Sequence, residues 1–274
     1  MNPVLTKRCA VALLAAMTLA LVVGLLAYGP ILGPSLRPLP APPAAAHSAL
    51  HLLAALNLLA AGLWGCAYVP LPRDGGPPVQ AWRCWFVSIA LAGAAAFYAG
   101  LDRAHWPLFL LQAASGVAHA MLLCTFLAER LSPRWDSAWV LLAALSLSIG
   151  AVSHWTVGEL TLGAGDQRAL LLLQLLPLLL IPSGALRLEG RYTHRNDWTV
   201  VLTLYALGLL AQASHARLAP WLGPLAGPTL QLLLLASAAA WLAQRAATSA
   251  PRSAPGATVE AAPTEASTSL KTCG

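Results

Sequence analysis

Among the side chains able to do chemistry, the seven histidines stand out. His47 and His51 are four residues apart, so on a helix they share a face. His105, His154 and His215 stand at the ends of other long apolar stretches. Imidazoles from several helices in one layer can hold zinc, copper or a haem iron, so these five are the metal-ligand candidates. The competing reading is that they are amphipathic residues at a bilayer surface, where Trp106, Trp155 and Trp221 fall at the same level. His119 lies in the middle of an apolar stretch and reads first as a histidine bonded to a neighbouring helix. His194 falls in a loop. Other chemistries lack their residues. The chain contains no G-x-S-x-G, no H-E-x-x-H and no glycine-rich phosphate loop, and no lysine inside an apolar stretch that could form a Schiff base. Cys9, Cys66, Cys84, Cys124 and Cys273 form no C-x-x-C pair and read as small hydrophobes.

The elements that must position these residues are apolar. Of 274 residues only 9% are charged, against about 25% in ordinary soluble domains. So few charges cannot cover a water-soluble globule, and the 58% hydrophobic content excludes disorder. Charge-free runs cover 9–36, 38–72, 84–101, 104–128, 137–158, 169–186, 198–216 and 218–244, each at least 18 residues long. About 20 apolar residues carry a helix across roughly 30 Å of hydrocarbon. The expected fold class is all-α. Eight transmembrane helices are predicted near 9–28, 47–70, 83–101, 105–129, 137–156, 167–187, 198–216 and 222–245. Membrane strands would alternate, and the leucine runs at 170–173 and 232–235 do not. Pro177, Pro182, Pro224 and Pro228 read as kinks. No internal repeat or broken-helix transport pattern is evident.

Orientation follows from Lys and Arg. With the N-terminus inside, outer segments hold only Arg37, Arg103, Arg168 and Arg217, and the other 12 of the 16 basic residues lie inside. Both termini are therefore expected in the cytoplasm. The net charge of +6 is then topological bias and implies no nucleic-acid partner. The first apolar run exceeds a signal-peptide core and is expected to be a retained helix. Residues 1–246 read as one membrane domain and 247–274, rich in Ala, Ser, Thr and Pro, as a disordered cytoplasmic tail.

A set of stretches in fixed order carries a resemblance. Gly165-Asp166-Gln167-Arg168 runs into Gln174-Leu175-Leu176-Pro177-Leu178-Leu179-Leu180-Ile181-Pro182. Gly190-Arg191-Tyr192-Thr193 and Leu202-Thr203-Leu204-Tyr205-Ala206-Leu207-Gly208 follow. Earlier stand Leu56-Asn57-Leu58, Gly62-Leu63-Trp64-Gly65 and Leu127-Ala128-Glu129-Arg130-Leu131-Ser132-Pro133. Together they resemble the bacterial branch of the alkaline ceramidase-like membrane hydrolases, over nearly all of helices 2–8. The resemblance implies a seven-helix core from about residue 47 plus one N-terminal helix. It also implies zinc-dependent amide hydrolysis by three histidines with an assisting Ser and Asp.

The chain departs from that pattern at each catalytic place. The family's S-x-Y-Y-H falls on Ala96-Phe97-Tyr98-Ala99-Gly100, so the Ser is Ala96 and the His is Gly100. Its W-D-R-L-P falls on Leu110-Leu111-Gln112-Ala113-Ala114, so the Asp is Leu111. Its S-G-H-T-L-K-H falls on Ala226-Gly227-Pro228-Thr229-Leu230-Gln231-Leu232, so the last two histidines are Pro228 and Leu232. None of these side chains can ligate zinc. The reading is a degenerate member with no cofactor at those positions, a pseudoenzyme binding a lipid or a membrane-protein partner in the old substrate cavity. Two readings compete with it. One is an active hydrolase of N-acyl lipids with zinc relocated among His47, His51, His105, His154 and His215. The other is a haem or copper electron carrier using the same histidines.

Overall fold

The computed structural model describes residues 3–32, 45–68, 79–102, 105–190 and 193–248. Those residues form helices, two single-turn 3₁₀ segments and no strand. The helices, in chain order, are α1 Pro3–Tyr28, α2 Ala45–Tyr68, α3 Val79–Leu101, α4 His105–Arg130, α5 Ala138–Leu162, α6 Arg168–Ala185, α7 Arg195–Ala213, α8 His215–Leu222 and α9 Pro228–Thr248. The tail expected at 247–274 lies almost wholly outside the described residues.

Each expected segment is helical, with three differences. The fifth runs on to Leu162, so Glu159 is part of it and the chain turns only at Gly163, whose φ of 69° favours glycine. The seventh and eighth are separated by α8, which with the 3₁₀ turn Gly223–Leu225 lies at 91° to α7. The eighth therefore starts at Pro228 rather than near 222. The number of spans also changes. Among the described residues six helices, α1 to α6, are long and apolar enough to cross a membrane, or seven if the bent α7–α8 pair is one span. α9 falls short because Gln231, Gln244 and Arg245 dilute it. These are the elements of an integral membrane helix bundle.

Packing runs α2 on α3, α3 on α4, α2 and α7 on α9, and α4 on α5 and α6. Between helices in lipid there is little hydrophobic driving force, so close backbone approach matters. A Cβ at Gly62 would run into the Ala90 backbone, and one at Gly93 into that of Leu59. These two glycines, one on each partner, set the α2–α3 contact. Towards one end the core is aromatic. Trp82, Trp85, Phe86, Phe126 and Trp198 pack together, with Phe126 edge-on to Trp198 at 5.1 Å.

At that same end polar groups are gathered and paired. Glu129 Oε1 accepts from the Thr193 amide at 2.8 Å and its hydroxyl at 2.7 Å. Trp198 Nε1 donates to the same hydroxyl at 2.6 Å. Arg130 donates to the carbonyls of Leu188 at 2.6 Å and Thr193 at 3.0 Å. Gly190 must lack a Cβ because the Thr193 carbonyl oxygen, with the Arg130 guanidinium bonded to it, lies where it would go. Asp197 accepts from the His194 amide and meets Arg245 at 3.0 Å, and Arg245 covers the Trp241 ring. The two stretches 127–133 and 190–193 are thus joined by this network.

α1 attaches differently. It packs along α6, and little of it is buried. The end of its connection is pinned at the opposite end of the bundle: Asp166 accepts from the Ile31 amide at 3.3 Å and pairs with Arg168 at 2.7 Å, while the Gln167 amide donates to the Ile31 carbonyl at 2.9 Å. Burial pushes the Asp166 carboxyl up, but the Arg168 and backbone N–H bonds outweigh it and hold it below its ordinary range.

Candidate ligand cavity

The helices enclose a cavity of about 640 Å³, lined by α2, α3, α4, α6, α7, α8 and α9. That volume lies inside the range of about 300–1,000 Å³ usual for small-molecule sites. Its walls are mostly Leu, Ala, Ile, Val and Pro, with Trp85 and the Tyr205 ring. The Tyr205 hydroxyl donates to the Gln174 carbonyl at 2.8 Å, just before Pro177, where the proline weakens the helix ladder.

Gly100, Leu111, Pro228 and Leu232 all line this cavity. They come from α3, α4 and α9, and are the positions that the ceramidase-like pattern would give to histidines and an aspartate. Ala96, one turn before Gly100, is fully buried. The donor set at these places is two aliphatic side chains, a proline ring and a hydrogen atom, so zinc does not fit there.

The histidines divide. His51 and His215 line the cavity. A methyl group added at Gly100 would sit 3.2 Å from His51 Cδ2, so the His51 ring leans into the space that a side chain at 100 would take. His51 Nδ1 also lies 3.5 Å from the buried Thr229 hydroxyl. His215 packs on Gly227, whose φ of 64° and lack of a Cβ both admit the ring. His51 and His215 thus flank the first turn of α9. His154 is exposed and does not line the cavity. The side chains of His47 and His105 lie outside the described residues. Among the described residues no three His, Cys, Asp or Glu side chains come close enough to hold a metal ion. The layer of five candidates is, as far as it is described, a pair at the cavity and one residue away from it.

His119 was not a metal candidate, yet it lines the cavity from mid-α4. It is buried, its ring lies tilted at 45° to Tyr205 with centroids 5.1 Å apart, and its Nδ1 has no hydrogen-bond partner. Sequence reasoning also passed over four glutamines, Gln112, Gln174, Gln212 and Gln231, one each from α4, α6, α7 and α9. The available signal was an amide inside an apolar helix, which is costly in lipid. Compared with known families, with curated proteins and with solved structures, the chain matches none.

Proposed function

We propose that this membrane protein is a non-catalytic relative of the ceramidase-like hydrolases and that its cavity binds a lipid. One observation carries the reading. The four positions that the sequence pattern assigns to catalytic groups line one cavity, and none of them bears a group that can ligate a metal or move a proton. The retained stretches at 127–133 and 190–193 serve a framework role through the Glu129–Thr193 bonds. The charge bias of the loops supports both termini in the cytoplasm, and the resemblance to the bacterial branch of the family supports a bacterial inner membrane. The test is detergent-purified protein assayed for zinc content, for amide hydrolysis of an N-acyl lipid, and for co-purifying lipid by extraction. Bound lipid without stoichiometric zinc or hydrolysis is expected. Stoichiometric zinc together with hydrolysis refutes the reading.

A second reading has its own observation: His51 and His215 both pack on the first turn of α9, next to two of the replaced positions. On it, a relocated zinc on these histidines serves an active hydrolase. Replacement of His51 and His215 by alanine then abolishes metal content and activity together. Unchanged values in both variants exclude it.

A further inference from the structure

We infer that the cavity reads an uncharged, hydroxyl-bearing head group, of the acylglycerol or glycolipid class, through amides on its wall. The inference rests on the proposed lipid-binding role of the cavity. Its first support is what the wall lacks: among the described residues no Asp, Glu, Lys or Arg lines it, and its only ionisable side chains besides Tyr205 are His51, His119 and His215, so an ionic head group would find no permanent counter-charge. Its second is what the wall holds. Polar side chains within a membrane bundle usually join helices by hydrogen bonds. Gln112, Gln174, Gln212 and Gln231 come from four helices and bond no protein group among the described residues. Ser115 separates itself in the same way. Ser148, Ser183 and Ser237 each donate back to a carbonyl of their own helix at 2.8–2.9 Å, whereas Ser115, facing the cavity, makes no such bond. These groups neither glue helices nor satisfy their own backbone: Gln112, Gln174, Gln231 and Ser115 are half-buried at the cavity wall and Gln212 is exposed at it, so their polar atoms are open to a ligand. Each glutamine offers both donors and an acceptor, and so does each hydroxyl of a glycerol or sugar. A polyhydroxyl head satisfies several amides at once, and the aliphatic remainder of the wall suits the first part of an acyl chain. A carboxylate or phosphate offers acceptors only and leaves the glutamine carbonyls unpaired.

The test uses the full chain in detergent, titrated with monooleoylglycerol, oleate and dioleoylphosphatidylcholine, whose head group has no hydrogen-bond donor, with binding read by native mass spectrometry and by the shift in thermal midpoint. Monooleoylglycerol is expected to bind and to stabilise most. The double variant Gln112→Leu with Gln231→Leu is expected to bind it about 10-fold more weakly, or about 1.4 kcal/mol. Leucine is close to glutamine in size and suits a membrane helix, and the thermal midpoint of the ligand-free variant checks that it folds. Oleate or dioleoylphosphatidylcholine binding as tightly as monooleoylglycerol overturns the head-group assignment and leaves the lipid-binding role standing. An unchanged affinity in the folded double variant overturns it too. Binding of none of the three lipids overturns the lipid-binding reading and this inference with it.

Discussion

Replacing Thr193 by valine should unfasten one end of the bundle. The Thr193 hydroxyl donates to Glu129 Oε1 at 2.7 Å and accepts from Trp198 Nε1 at 2.6 Å. Thr193 is 1% exposed and Trp198 0%, so no water replaces either bond. Valine keeps the shape and removes both. A buried donor left unpaired costs about 1–3 kcal/mol, and a lost hydrogen bond to a charged group about 1.5–3 kcal/mol. Together the loss is about 2.5–6 kcal/mol. Thr193→Ser keeps the hydroxyl and loses one methyl group, about 1 kcal/mol. The measurement is thermal unfolding in a mild detergent, followed by tryptophan fluorescence, for wild type and both variants. The valine variant should melt well below the serine variant, and the serine variant close to wild type. If the two variants melt together, the hydroxyl is not what holds this end and the argument from the network fails.

The depressed Asp166 carboxyl makes a pH prediction. A carboxyl held below its unfolded value near 3.9 contributes stability that is fully present above that pH and lost as pH falls through the lower, folded value. The Ile31 amide should therefore exchange hydrogen faster as pH drops below about 4, beyond the intrinsic trend, and Asp166→Asn should remove that extra pH dependence. Gly93→Val should force α2 and α3 apart by driving a side chain into the Leu59 backbone, costing about 1–3 kcal/mol of overpacking and lowering the thermal midpoint. Gly190→Ala should displace the Arg130 guanidinium from the Leu188 and Thr193 carbonyls, read as faster proteolysis of the 188–193 connection in intact protein.

The eight helical segments were legible because a charge is costly in lipid, so the charges gather towards segment ends. Arg83 and Glu159 nonetheless lie inside α3 and α5, and among the described residues six or seven of the segments, rather than eight, are long and apolar enough to span. The break before α9 was not legible. Leu218, Trp221 and Leu222 are as apolar as a spanning helix, and only the backbone turn at Gly223, with φ 51°, separates them from it. Parts of the cavity were legible through the replaced positions Gly100, Leu111, Pro228 and Leu232, which stand far apart in sequence and together in space. The histidine layer was read too broadly. Depth along a helix is visible in sequence, but the direction a side chain faces is not, and α5 turns His154 outward. The glutamines escaped because a single amide in an apolar run has no pattern; only the meeting of four helices gives it meaning.

The clasp between Ile31 and Asp166 also bears on how the protein is made. α1 has a mean hydropathy of 2.7, with only 11% of that stretch buried inside the bundle, so lipid alone is enough to hold it as soon as it is synthesised. Its anchor is Asp166 and Arg168, more than 130 residues later in the chain. During biogenesis α1 must therefore wait, inserted but undocked, while four further helices emerge. The clasp closes only when the start of α6 arrives, so α1 inserts before α2 to α5 and is fastened after them.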